Sequence, residues 1–432
     1  MRDLRWLFWL GVVFPLTFFM SMDRVNIAVT APIIAQIHHF TLLQETVILT
    51  SFSIFYAAMQ IPGGLFAERV GARKGLGAAS AWWSLFTILT PFGGIYYGFV
   101  AIRSLLGVGQ AADWPASVYA INTWFKKEEQ SQANSILLGG LYFGTVVGAI
   151  ITGYISATIG WPWAFYIFGL LGFATSWLWW YYFRDHPRDS RLIPDDLKNQ
   201  LEEQHSSNSK TQYKQWKTFL RSYQFWAIGV EYLFLIMIQA FYTTLLPTYL
   251  YTYRHVKIAT VGELTSLPWL SLFIMVFIVG YLQRYTLRKT NSVYKSRVPY
   301  AVGGFVVAIL FLYLAMQQIN VYYAIGLMMV SMAGIGMVQV SIWSACQDLG
   351  REFTASVTGW VNMWGNSAGA LGPLFTAFLV GFGHSFTSAV TIVGLSGIAG
   401  IVLWLFVNPQ KPLIKETSTE AMGGAFSGRP NP

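Results

Sequence analysis

Five ionisable side chains stand inside long apolar runs of the chain: Asp23, Arg24, Arg103, Asp113 and Glu231. At the depth of a lipid bilayer such a group costs at least about 2.5–3.5 kcal/mol, so each needs a partner or a task. Arg24 is the cation best suited to a ligand, because a guanidinium can grip a carboxylate through two parallel hydrogen bonds. A structural ion pair with a neighbouring helix is the other reading of Arg24, and both stay open. Asp23 is adjacent to it, yet successive helical positions project about 100° apart, so the two need not pair. Asp113 follows Gln110 by three residues, one turn along on an adjoining face. It reads as a titrating group or as a capping and packing residue near Pro115. Glu231 is isolated, either a further proton carrier or a side chain snorkelling to the membrane surface.

Uncharged polar residues recur at helical spacing. Tyr56 and Gln60, Gln339 and Trp343, and Asn362 and Asn366 are each separated by four positions and so share a helix face. Such amides and phenols can replace the water lost by a hydroxyl-rich ligand, or can bond helix to helix. Tyr142 and Tyr242 are weaker candidates, since the chain has 23 tyrosines and many mark membrane interfaces.

The elements that position these residues follow from composition. The chain of 432 residues is 54% hydrophobic and only 11% charged, against roughly 25% charged in a soluble domain. A spanning helix needs roughly 20 apolar residues. That window predicts twelve spans, near 6–36, 45–67, 76–96, 98–123, 133–157, 161–183, 223–253, 261–284, 299–317, 321–348, 354–382 and 385–407. The expected class is therefore an all-α membrane protein of twelve transmembrane helices in two pseudo-symmetric bundles of six. The expected units are a first bundle over 1–183, a central loop over 184–222, a second bundle over 223–407 and a disordered tail over 408–432. A short helix opening after Pro194 is expected in the loop. A glycine followed by paired basic residues ends the second helix of each half, at Gly64–Lys74 and Gly280–Lys289. This weak internal echo supports two related halves.

Of 28 Lys and Arg, Arg24 and Arg103 lie within spans and Arg254 and Lys257 fall on one side. The other 24 collect on the side of both termini and the central loop. By the positive-inside rule that side is cytoplasmic, which accounts for the net charge of +9 without nucleic acid. The first apolar run lacks a cleavage site and reads as a retained helix.

The run Gly63-Gly-Leu-Phe-Ala-Glu-Arg-Val-Gly-Ala-Arg-Lys74 resembles the loop between helices two and three of the major facilitator superfamily, with Glu68 where that family usually has Asp. Arg103-Ser-Leu-Leu-Gly-Val-Gly109 resembles its helix-four motif. More narrowly, Met22-Asp-Arg-Val-Asn-Ile-Ala-Val-Thr-Ala-Pro32 is similar to helix one of the anion:cation symporter family. Tyr56-Ala-Ala-Met-Gln-Ile-Pro-Gly-Gly64, Trp161-Pro-Trp-Ala-Phe-Tyr166, Leu246-Pro-Thr-Tyr-Leu250 and Asn362-Met-Trp-Gly-Asn366 fit the same family. The resemblance implies a carrier of sugar acids (hexuronates, hexonates, aldarates) or other carboxylates, and a role for Asp23 in proton coupling. A fixed bridge from Asp23 to helix four is the alternative. Family members often carry Glu where this chain has Gln110, a side chain that cannot take up a proton at physiological pH.

Glu68, Arg69, Arg73 and Arg103 read as gates, charges that pair across the halves in one state of a rocking carrier and part in the other. The expected function is import of a small organic anion with protons by alternating access. Proton-antiport export of amphipathic compounds, or a sensor derived from a transporter, are the alternatives. The chain has no Walker loop and no HExxH pair, which argues against a pump or a metallopeptidase-type enzyme. Its lone Cys346 and scattered histidines predict no metal, and no cofactor is expected. The expected partners are the anion, protons and membrane lipids, with a monomeric protein in the cell inner membrane.

Overall fold

The computed structural model describes residues 3–207, 216–350 and 354–413. Twelve long helices are traced among them. In the first half these are α1 (Arg5–His38), α2 (42–70) and α3 (72–89), α4 (Tyr96–Gln110 continued by Asp113–Trp124), α5 (Lys127–Thr158) and α6 (Trp161–Tyr182). The second half has α7 (Tyr223–Tyr253), α8 (Ile258–Thr290), α9 (Val293–Met316), α10 (Val321–Gly350), α11 (Thr354–Gly381) and α12 (Phe386–Trp404). One apolar core is assembled from residues between Phe8 and Leu201, and a second from residues between Phe219 and Val407. Each half thus buries its own interior, as two bundles must. A further helix, Asp195–Ser207, opens directly after Pro194 in the connecting segment. The expectations for the tail beyond 413 and for the Glu68 side chain fall outside the described residues.

Eight of the helices are long and apolar enough to cross a membrane by length and composition. The other four are weaker for physical reasons. Helix α6 draws much of its apolar surface from Trp and Tyr, α4 carries Arg103 and Asp113 and breaks at residues 111–112, α11 is rich in Gly and Asn, and α3 is short. Tertiary packing holds what hydropathy alone leaves marginal. Helix α7 is distorted into π-helical segments at Phe241–Leu245 and Tyr249–Tyr253, flanking Pro247, whose ring removes a backbone donor.

The pseudo-symmetry extends to the segments that leave each bundle. After α6, the Arg184 carbonyl accepts from Trp124 Nε1 at the end of α4 (2.8 Å), and Asp185 Oδ1 accepts from the Arg73 N–H (2.9 Å). After α12, the Leu413 N–H donates to the Leu349 carbonyl at the end of α10 (3.0 Å). Gln410 Nε2 donates to Ser292 Oγ between α8 and α9 (3.2 Å). Each exit segment therefore ties the same two turns of its half. These turns share a face with Arg5, which is buried, donates to the Trp124 carbonyl (2.7 Å) and pairs with Asp3 and Glu129. We refer to it as the amino-terminal face.

Between α2 and α3 the helical run breaks at Gly71, with φ 83° and ψ 159°, a region essentially reserved for glycine. A Cβ there would lie 2.5 Å from the Asp185 carboxylate that caps α3. Gly71→Ala is expected to cost about 1–3 kcal/mol, read as a lower thermal unfolding midpoint of the detergent-solubilised protein. An unchanged midpoint would mean that the turn relaxes freely.

Candidate functional site

Helix α1 carries Asp23 and Arg24 to mid-membrane. The Arg24 guanidinium lies 5.0 Å from the Tyr56 ring centroid and 5.1 Å from that of Phe52, and its Nε donates to Gln110 Oε1 at 2.9 Å. Phe52 and Tyr56, four apart on α2, stack with centroids 5.6 Å apart. The cation is thus oriented by two rings and one amide, while its side chain stays partly exposed. No carboxylate pairs with it within 4.0 Å among the described residues. Asp113, buried at 2% exposure, is a charged neighbour of Arg24, and its Oδ1 has no hydrogen-bond partner among the described residues.

Asp23 is 1% exposed beside the Thr87 hydroxyl, and neither carboxylate oxygen accepts a well-formed hydrogen bond among the described residues. Arg103 is its main charged neighbour and lies 5.1 Å from the Phe52 centroid, with Nε unpartnered among the described residues. The fixed bridge from Asp23 to α4 is not formed. Carboxylates and guanidiniums are brought together at membrane depth without being closed into ion pairs. Buried polar groups are usually satisfied, so such a cluster is a candidate site for exchanging charge or meeting a ligand.

Arg103 stands apart from the loop of Glu68, Arg69 and Arg73 with which it is grouped as a gate, because α4 starts on the opposite face and reaches the amino-terminal face only at Trp124. Position 103 therefore falls in the first part of α4, buried beside Asp23. Arg73 has all its described partners within its own half: Asp185, the Trp180 carbonyl (3.0 Å) and the Trp180 ring. In this state it is a strut of the first bundle rather than a bond across the halves. Arg69 is exposed.

The second half contributes amides. Gln339 Nε2 donates to Gln239 Oε1 at 2.8 Å, and the Tyr142 hydroxyl reaches Gln339 Oε1 at 3.5 Å from α5. Trp343 packs edge-on against Tyr232, centroids 5.2 Å apart. Asn366 Nδ2 donates to Gln60 Oε1 at 2.9 Å, joining α11 to α2. Gln60 therefore bridges the halves while Tyr56, its partner by spacing, supports Arg24. Asn362 is partly buried, with no side-chain hydrogen bond among the described residues.

Two predicted positions lie apart from this cluster. Tyr242 is fully buried in the core of the second bundle. Glu231 is also fully buried and accepts from Trp404 Nε1 at 2.6 Å, which overturns the snorkelling reading because α12 covers it. Sequence reasoning missed Phe52 and Gln239. The four-residue spacing that selected Tyr56 with Gln60 also links Phe52 with Tyr56, and Gln239 is a lone amide in an apolar run.

Four side-chain hydrogen bonds join the halves among the described residues: Tyr142–Gln339, Gln60–Asn366, Gln36–Tyr251 and Glu45–Thr248. The last two lie on the face opposite the amino terminus, and none lies on the amino-terminal face. Toward that opposite face α5 and α8 also cross at backbone contact. A Cβ on Gly262 would sit 2.4 Å from the Ala149 carbonyl oxygen and 3.0 Å from Gly153 Cα. The opposite face is closed.

A family model described as Major Facilitator Superfamily matches residues 13–373. The "Ascorbate transporter, chloroplastic" of Arabidopsis thaliana is 25% identical over 397 residues, covering 91% of this chain and 73% of that protein. The "Probable galactarate/D-glucarate transporter GudP" of Escherichia coli (strain K12) is 25% identical over 418 residues, 92% of each chain. These names are consistent with the anion:cation symporter family that helix one resembles. The crystal structure of a bacterial homolog of the human lysosomal transporter Spinster, inward-facing and unoccupied, shares the fold with a TM-score of 0.72 at 15% identity, covering 93% of this chain and 95% of that one. With a family match over most of its length and twelve helices in two bundles, the chain belongs to the major facilitator superfamily of membrane transporters.

Proposed function

We propose that the protein imports a small organic anion, a sugar acid such as a hexuronate, hexonate or aldarate or another carboxylate, in symport with protons. The observation that carries this reading is Arg24, a partly exposed guanidinium at mid-membrane, oriented by Gln110, Phe52 and Tyr56 and without a paired carboxylate among the described residues. Such a cation suits a carboxylate ligand and opposes a cationic one. The amides of Gln339, Asn366 and Gln60, with the Tyr142 hydroxyl, suit the hydroxyls of a sugar acid. The names of the relatives support an anion. Gln110 has no titratable proton, so coupling falls to Asp23, with Asp113 as its second carboxylate. Glu231, bonded to Trp404, takes no part in this reading. The amino-terminal face is assigned to the cytoplasm, the membrane is the cell inner membrane, and the carrier acts as a monomer.

Uptake of labelled carboxylates into proteoliposomes, with and without an imposed pH gradient, tests this. Accumulation above equilibrium is expected only with protons flowing in alongside the substrate. Accumulation that ignores the gradient would refute symport. Binding without exchange would identify a sensor, and transport of amphipathic cations but no carboxylate would identify an exporter.

A further inference from the structure

Glu45 is a buried carboxylate with no part in the site above. It stands on the first turn of α2, 5% exposed, and the Thr248 hydroxyl on α7 donates to its Oε1 across the halves. The Tyr251 hydroxyl donates to Gln36 Oε1 beside it, at 2.9 Å. Both bonds border a crevice of about 900 Å³ on the closed face, lined also by His39, His255 and Lys257. We propose that Glu45 is the proton-binding site that controls closure of this face: with its proton it is buried against Thr248, and ionised it holds the face open to water. The proposal deepens the proton-symport reading and rests on it.

The argument is one of burial. Closing the face moves the carboxyl from open water to the buried edge of the crevice, with one neutral donor and no cation within 4.0 Å among the described residues. Burying a bare carboxylate costs several kcal/mol even after relaxation, far more than burying the neutral acid. The first-turn position favours the charge by at most about 2 kcal/mol, which does not offset that. Moreover, Thr41 and Gln44 already form the capping box of α2. Proton binding and closure are therefore linked, and each favours the other. The groups facing Glu45 are Tyr251 and Tyr253 at the end of α7, His39 after α1, and His255 and Lys257 before α8. Helix α4 enters this face with Tyr96 and Tyr97, and α11 carries no charged or titratable residue over 354–381. The two histidines are the competing source of pH dependence.

The test uses the full chain in proteoliposomes, spin-labelled at Ile37→Cys and Thr252→Cys, exposed positions on opposite halves of this face. The native Cys346 is buried and can stay. Inter-label distances are measured from pH 5 to pH 8. A short distance at low pH giving way to a longer one at high pH is expected. Glu45→Gln should stay short throughout, Glu45→Asp should keep the response, and Thr248→Val should shift toward the long distance at every pH. Either of the last two decides the matter if Glu45→Gln does not fold. A wild-type response retained in Glu45→Gln, no response in the wild type, or a response lost in His39→Gln/His255→Gln but kept in Glu45→Gln would each overturn the assignment. If symport itself is wrong, wild-type uptake ignores the gradient while the Glu45-dependent distance change persists, so the two failures are distinguishable.

Discussion

Arg24→Ala is expected to weaken binding of the transported carboxylate at least about a hundredfold, as measured by calorimetry on the purified protein. Truncating one partner of a buried, hydrogen-bonded charge pair costs about 2–5 kcal/mol, and each ~1.4 kcal/mol is tenfold. Arg24 has the geometry for such a pair, since the Phe52 and Tyr56 rings and Gln110 Oε1 fix the guanidinium before any ligand arrives. Arg24→Lys should be intermediate, because an ammonium keeps the charge but loses the planar fork. Arg103→Ala is the discriminating control. It lies over the same Phe52 ring but is almost fully buried, next to Asp23. It should bind carboxylate close to normally and lose gradient-driven accumulation. Equal loss of binding in both variants would merge the two arginines into one site, and normal binding by Arg24→Ala would refute the anion assignment.

The charges and their depth were legible in the sequence because an ionisable residue within an apolar run is conspicuous. Their pairing was not. Whether Asp23 meets Arg24 or Arg103 depends on how α1, α2 and α4 rotate against one another, and Phe52, an apolar residue with no polar signal, stands between the guanidiniums and α2. Four-residue spacing puts Tyr56 and Gln60 on one face but could not show that Gln60 reaches Asn366 in the other half. The separation of Arg103 from Arg69 and Arg73 was not legible, because a motif carries no depth, whereas the direction of α4 assigns one. Glu231 was misread because snorkelling requires an uncovered path to the surface, and Trp404 of α12 occupies it. The bundle count was readable despite the weakness of α3, α4, α6 and α11, since the remaining helices and the basic segments between them leave six crossings on each side of residues 184–222.

Gly262→Leu is expected to lower exchange of substrate by more than tenfold while leaving binding to the open site intact. The reason is the crossing of α5 and α8, which belong to different halves and meet with no side chain between them. The Cβ alone would stand 2.4 Å from the Ala149 carbonyl oxygen, an overlap that backbone must move to relieve. Because Gly153 and Gly262 lie toward the face opposite the amino terminus, a side chain there acts as a wedge that opposes closure of that face. Overpacking of this kind costs about 1–3 kcal/mol, enough to shift a two-state equilibrium by roughly ten- to a hundredfold. The variant should therefore keep the long Ile37–Thr252 distance at every pH, even where the Glu45 proton favours closure. Gly280→Leu, on the same helix but with nothing within 4 Å of its added Cβ, should exchange substrate at the normal rate. Counterflow in proteoliposomes measures both variants. A Gly262→Leu carrier that exchanges as fast as Gly280→Leu would show that the halves do not rock about this crossing.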